Sequence, residues 1–450
     1  MLFERIESKG LAHYSYLVGD GLDALVIDPR RDCEVYVERA AQEGLRIAHV
    51  LETHRHEDYV VGSVELAART GAQIWRADAQ MEYRYGQPVE DGQVWQVGRL
   101  KVQAIGSPGH PPGSMSYLLH DPNGAPWIVF TGDALFAGSV GRVDFFGMER
   151  AQELASLLYD TLFHKLLPLG DGIIVCPAHG SGSLCGSSIA ERTWTTVGLE
   201  RRLNPKLQFA DREAFVAHAV EELEQPPYFR RMERRNLEGT PRLGALPVPR
   251  PLAPGEFAAR MQDAVVLDTR AVLGVAHVPG AYSIWLDGLA GFAGWFLPDE
   301  RPILLVSEPA DLAQAVRCLV RMGYDDLAGY LAGGMQAWHT AGRESAAIRT
   351  LTVHELRRRL DAHESLWLLD VRSKGEVEAD PTAGAVNIPL TQLPQRLDEV
   401  PQDRPITVFC GSGMRATVAA SLLQRAGRQD VTVVLGGRAA WHATAQHAAS

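Results

Sequence analysis

At 450 residues, 46% apolar and 22% charged, the chain has ordinary globular composition and the length of about three domains at roughly 150 residues each. Its net charge of −11, with no Lys/Arg block that could track phosphates, argues against nucleic acid or an anionic membrane as partner. The opening MLFERIESKG holds no apolar signal region, and no run of about 20 apolar residues follows; a cytoplasmic, soluble protein acting on small molecules is expected.

Five cysteines, Cys33, Cys176, Cys185, Cys318 and Cys410, are odd in number and scattered. They suit a reducing compartment and a reactive thiol better than a disulfide framework. In chain order, short apolar runs (ALVID, AHVLET, IVFTGDALF, GIIVCPAHG) alternate with turn-rich stretches, and helical spacing appears in VELAART and AQELASLLYDTLFHKLL. Strands sandwiched by helices are predicted over the first 200 or so residues. A polar helical tail is predicted through REAFVAHAVEELEQ, followed by the Pro-rich linker PRLGALPVPRPLAPGE.

The rest of the chain repeats itself. Arg301/Arg404, Gly333/Gly436 and Trp338/Trp441 all differ by 103, and Asp268/Asp370 and Arg270/Arg372 by 102. HVPGAYSI pairs with PTAGAVNIPL after a small insertion. Each copy reads as strand, loop, strand, helix, strand, a GG turn and an aromatic-bearing helix, a pattern that favours a mostly parallel sheet covered on both faces. The predicted domains are therefore 1–245, 246–346 and 347–450, all of α/β class.

Chemistry-bearing residues gather at strand ends. LETHRHEDYVVG puts His54, His56 and Asp58 at alternate positions after AHVLET, and His110 (SPGHPPG), Asp133 (FTGDALF) and His179 (CPAHG) each follow an apolar run. This series resembles the metallo-β-lactamase superfamily, whose H-x-H-x-D-H motif, downstream His, bridging Asp and final His are matched in order. The resemblance implies an N-terminal αββα sandwich. Tyr59 stands where dinuclear hydrolases have a second His, which would cost a second metal one ligand. The family's persulfide dioxygenase branch uses one iron, and the resemblance implies His54, His110 and Asp133 as its ligands, one Fe(II) per N-terminal domain. Two imidazoles and a carboxylate suit non-haem Fe(II) with positions left for O₂ and a sulfur ligand. His56, Asp58, Tyr59 and His179 would then stand behind the ligands. GRVDFF resembles the same branch, with Arg142 a candidate for substrate binding or for bracing a loop with Asp144, and Arg201 or Arg202 in TVGLERRLNPKL a candidate contact for the thiol carrier.

The second centre is ITVFCGSGMRATVAASLLQ. A strand runs into Cys410, the turn Gly411, Ser412, Gly413 and Met414, then Arg415 and an amphipathic helix. Backbone N–H groups at a helix N-terminus can cradle a thiolate or persulfide, and Arg415 can face an oxyanion. The pattern resembles the rhodanese active site. In the other copy Ser307 and Leu312 stand at the Cys410 and Arg415 positions and EPAD replaces GSGM, so that copy resembles a degenerate, silent rhodanese.

Together the three segments resemble the fused persulfide dioxygenase/sulfurtransferases of bacterial sulfide detoxification. What this implies is oxidation of a low-molecular-weight thiol persulfide by O₂ to sulfite, and sulfane-sulfur transfer at Cys410 that forms or uses thiosulfate. The thiol carrier (glutathione, coenzyme A or bacillithiol) and the direction of sulfur flow stay open, and an oligomer of identical chains, a dimer or tetramer, is expected. Two other readings are weighed: a zinc thioester hydrolase of the glyoxalase II kind fused to a sulfurtransferase, and a sulfur carrier or redox sensor with a structural metal.

Overall fold

The structure is a computed structural model that describes residues 1–186, 188–209, 211–271 and 276–449. The chain divides into two compact units, Met1–Leu246 with Val320–Gly323, and Pro247–Leu319 with Tyr324–Ser450.

The first unit contains two six-stranded sheets. In one, Leu2–Ser8, His13–Asp20, Asp23–Ile27, Arg46–Glu52, Gln73–Arg76 and Gln87–Pro88 follow in chain order. In the other the spatial order is Thr195–Thr196, Ile174–Pro177, Pro126–Gly132, Met115–His120, Leu100–Gly106 and Val94–Val97. Successive side chains on a strand point to opposite faces, and here both faces are apolar. Tyr16, Val18, Leu25, Ile27, Tyr117, Leu119, Ile128 and Phe130 meet in the core between the sheets. The intervening Leu17, Ala24 and Val26 pack under the helices Glu34–Gln42 and Ser63–Thr70, and Leu118 and Val129 under Met148–Asp160 and Arg212–Ala219. The result is an αββα sandwich. Truncating a fully buried ring such as Phe130 would cost about 3–5 kcal/mol.

One helical expectation needs correction, and one helix was not foreseen. The tail predicted through residue 225 stops at Ala219. Its continuation, EELE, would set acidic side chains at a helix C-terminus, where the macrodipole is unfavourable; instead the Leu223 N–H donates to Asp144 and its carbonyl accepts from Arg142. A helix at Phe229–Glu238 also precedes the linker, which was not expected.

In the second unit the two copies have the same five-stranded parallel order: Pro251–Leu252, Leu327–Leu331, Ile303–Val306, Val265–Asp268, Tyr282–Ser283, and Arg349–Leu351, Val431–Val434, Ile406–Phe409, Trp367–Asp370, Ala385–Asn387. The helix Met414–Arg425 lies between them. From Ala416 through Leu423 every residue is buried, because one face packs on its own sheet and the other meets the first copy. The Ser283 N–H donates to Ser421 Oγ at 3.2 Å, His277 Nε2 lies 3.1 Å from Gln424 Oε1, and the Arg425 guanidinium sits 3.8 Å over the Tyr282 ring. Among the described residues no helix is long and apolar enough to cross a membrane.

Candidate metal centre and cysteine loop

His54, His110, Asp133 and His179 each lie one to four residues past a strand, at Glu52, Gly106, Gly132 and Pro177. Gly132, at φ +53°, makes the approach possible, since a Cβ there would stand 2.7 Å from Thr53 Oγ1. The potential ligand atoms of His54, His110 and Asp133 lie within 4.8 Å of one another, and all three residues are buried. Asp133 Oδ2 is 3.6 Å from His54 Nε2 and 3.4 Å from His110 Nε2.

The hydrogen bonds behind these residues decide their tautomers. The Thr53 hydroxyl gives its one proton to Asp28 Oδ2 at 2.7 Å, so at 2.9 Å it must accept from His54 Nδ1–H. His110 Nδ1 lies 2.5 Å from the Arg142 carbonyl, which can only accept. Both Nε2 atoms therefore present bare lone pairs, and both are buried with no hydrogen-bond partner. A buried orphan nitrogen is costly in a finished core, whereas two of them converging on a carboxylate suit a divalent metal. Burial, with His56 next, holds the His54 pKa well below its usual value, keeping it the neutral ligand form. Burial works to raise the Asp133 pKa, but His179 and His54 outweigh it and hold the carboxyl well below its usual range.

His179 is not one of the three. Its Nδ1 lies 2.8 Å from Asp133 Oδ1 and its Nε2 2.9 Å from Asp58 Oδ2, so both nitrogens face carboxylates. Burial opposes its charged form, yet Asp133 and Asp58 raise its pKa well above the ordinary value. His56 Nε2 lies 3.0 Å from Asp28 Oδ1. Tyr59 is fully buried, its ring 4.0 Å from that of His13 and 4.7 Å from that of His56. Asp28, Thr53 and His13 escaped the sequence reading. Asp58 and His179 form a second group with Cys185. Burial pushes the Cys176 thiol up to about 12 and that of Cys185 well above its usual value, which works against a reactive thiolate at either position.

Arg142 is buried and committed. Its guanidinium grips both Asp144 oxygens at 2.6 Å and also donates to the Leu184, Leu223 and Glu224 carbonyls. It thus braces the loop whose carbonyl orients His110 and stacks on Phe145, whose ring lies 5.1 Å from that of His110. Arg201 pairs with Asp171, and neither it nor exposed Arg202 belongs to the metal group.

Cys410 is fully buried at the end of the strand Ile406–Phe409, and the Gly413 N–H donates to its sulfur at 3.1 Å. Gly413, at φ +99°, opens the helix that carries Met414 and Arg415. The turn is braced by the Arg438 and Ala439 N–H groups, which donate to the Cys410 and Gly411 carbonyls. Arg415 lies close over the loop, within 3.3 Å of where a Gly411 Cβ would stand, and is paired to Glu376, a residue not anticipated from sequence. In the other copy Ser307 Oγ is buried without a hydrogen-bond partner.

Residues 9–179 match the metallo-beta-lactamase superfamily and residues 352–444 the rhodanese-like domain. The chain is 34% identical over 224 residues to the Bos taurus mitochondrial persulfide dioxygenase ETHE1, covering 47% of this chain and 78% of that protein. It is 28% identical over 214 residues to the Haemophilus influenzae hydroxyacylglutathione hydrolase GloC, covering 43% and 91%. A Staphylococcus aureus metallo-beta-lactamase structure superposes with a TM-score of 0.66 at 26% identity, over 74% of this chain and 99% of that one. The chain belongs to the metallo-beta-lactamase superfamily, among the homologues of persulfide dioxygenase ETHE1, and carries a rhodanese-like domain towards its C-terminal end.

Proposed function

We propose that the chain is an Fe(II) persulfide dioxygenase coupled to a sulfurtransferase that works through Cys410, acting in sulfide detoxification. The observation that carries this reading is the pair of orphaned Nε2 lone pairs of His54 and His110 facing Asp133. Likeness to the Bos taurus persulfide dioxygenase supports it. Fe(II) held by His54, His110 and Asp133 would supply the redox chemistry by which O₂ and one water convert the terminal sulfur of a thiol persulfide to sulfite, with release of the free thiol and two protons.

The chain's own residues do the rest. Thr53 and the Arg142 carbonyl fix the two imidazoles, and His179 Nδ1, 2.8 and 3.0 Å from the two Asp133 oxygens, orients the carboxylate whose Oδ2 faces them. A cavity of about 480 Å³ lined by Phe145, Met148, Leu223 and Arg230 offers room for the body of the thiol. At Cys410 the loop N–H groups hold sulfane sulfur, for thiosulfate formation or use.

Metal analysis with O₂ uptake on glutathione, coenzyme A or bacillithiol persulfide tests the reading. Iron and persulfide-dependent O₂ uptake are expected; zinc without O₂ uptake would sink it. Asp133→Ala should lose the iron and at least about 100-fold in O₂ uptake, and full iron retention would overturn the ligand assignment. A zinc thioester hydrolase is the second reading, favoured by the likeness to GloC and by the Asp58, His179 and Cys185 group as donors for another metal. Tyr59, in the place of a ligand, weighs against it. Thioester turnover by zinc-loaded protein would favour it.

A further inference from the structure

Arg415 is the one cation the sequence places for an oxyanion at Cys410, yet both of its terminal nitrogens are engaged by a single carboxylate. Arg415 Nη1 donates to Glu376 Oε2 at 2.7 Å and Nη2 to Oε1 at 2.6 Å. Such bidentate pairing is the strongest form of this contact. Glu376 comes from a separate element, the short helix Lys374–Ala379, and is held there independently. The Ser373 N–H and hydroxyl both donate to Glu376 Oε2, at 3.0 and 2.9 Å, completing a capping box. The pair is not sealed in, since the Glu376 side chain is 40% exposed and that of Arg415 26%, so a solute can reach it.

The silent copy offers an independent observation. Between Arg270 and His277 it reads AVLGVA, with no carboxylate and no hydroxyl where the other copy has Ser373 and Glu376, and it has Leu312 in place of Arg415. Nucleophile, cation, carboxylate and cap are absent together, as expected of parts of one device.

We infer that Glu376 is a positioning residue that gates anions at Cys410: it holds the Arg415 guanidinium over the loop, and an anionic sulfur compound binds by taking Arg415 from it. This rests on the sulfurtransferase reading above. The step it gates is balanced as follows. The Cys410 thiolate attacks the outer sulfur of thiosulfate, the S–S bond of thiosulfate breaks, and sulfite leaves with that electron pair. A cysteine persulfide anion remains, with total charge −3 before and after. While Glu376 neutralises Arg415, a dianion such as thiosulfate gains little from that cation. Release of Arg415 strengthens its binding.

The test compares the wild-type chain with Glu376→Gln, which keeps an acceptor for the cap but removes the charge, and Ser373→Ala, which weakens the cap but keeps the charge. The rate of Cys410 alkylation is read by peptide mass spectrometry with iodoacetate, an anion, and iodoacetamide, its neutral analogue. Glu376→Gln is expected to raise the iodoacetate-to-iodoacetamide rate ratio about five- to tenfold and to lower the thiosulfate KM by a similar factor, with kcat changing less than about twofold. Ser373→Ala should leave the ratio within about twofold. An unchanged ratio or KM in Glu376→Gln, or the same change in Ser373→Ala, overturns the gate and makes Glu376 a brace of the loop. The alkylation ratio needs no sulfur transfer, so it decides the gate even where the chain turns over no thiosulfate.

Discussion

The two α/β copies of the second unit share a sheet order strand for strand, yet they end the same central strand differently. Ile406–Phe409 delivers Cys410 into a glycine turn whose amide meets the sulfur, and the GG turn further on folds against it; Gly437, at φ +50°, stands so close that a Cβ would lie 2.1 Å from the Cys410 carbonyl. Ile303–Val306 delivers Ser307 into EPAD, and the matching Gly334, at φ +56°, has open space where a Cβ would go. The framework is the same. A shared sheet does not carry the loop with it, because a thiol, amides and a cation must converge within a few ångströms while the sheet needs only apolar strands.

Exchanging the nucleophile positions gives the largest effect. Cys410→Ser should abolish thiosulfate:cyanide sulfurtransfer while persulfide-dependent O₂ uptake persists, whereas Ser307→Cys in that background should restore none of it. Recovery by Ser307→Cys would erase the distinction between the copies, and loss of O₂ uptake with Cys410→Ser would mean obligate coupling of the two centres. Alanine in the GG turns is the next probe. Gly437→Ala should cost about 3 kcal/mol or displace the loop, and Gly334→Ala only about 1 kcal/mol for its positive φ; urea midpoints that move equally would show the close approach to be immaterial.

The smallest effect is one of pH. The Arg415 hydrogen bonds, outweighing burial, lower the Glu376 pKa from 4.5 to about 2. A depressed carboxylate stabilises the folded state above its unfolded pKa, and that contribution disappears as pH falls through the window from 4.5 to about 2. The stability difference between wild type and Glu376→Gln should therefore shrink across that window. For so exposed a carboxylate it amounts to less than about 1 kcal/mol. A difference constant with pH would mean the pair contributes no charge-dependent stability.

Much of the candidate metal group was legible because its residues follow apolar strands at short, regular distances, and strand ends in a sandwich face one edge. Cys410 and Arg415 were legible because a strand, a glycine turn and a helix appear consecutively. The supports were not. Thr53 and Asp28 matter through one hydroxyl proton, which no spacing records, and His13 sits inside an ordinary strand pattern. Glu376 did leave a signal in the capping box SKGE, but its partner lies 39 positions along the chain. Arg142 read equally well as a substrate contact or a brace; the geometry shows it gripping Asp144 and three carbonyls. The helical tail failed at EELE, where tertiary bonds to Arg142 and Asp144 replaced helical ones.

The helix from Met414 to Arg425 has eight successive buried residues and hence no water-facing stripe along that stretch. An ordinary surface helix tolerates substitution on one side, but this one is a shared beam between two sheets, with volume fixed all round. Excised alone, the Cys410 copy is expected to expose Ser421 and its neighbours, a flank that the first copy covers. A duplicated module can serve as the missing wall of its sister whatever chemistry it carries itself.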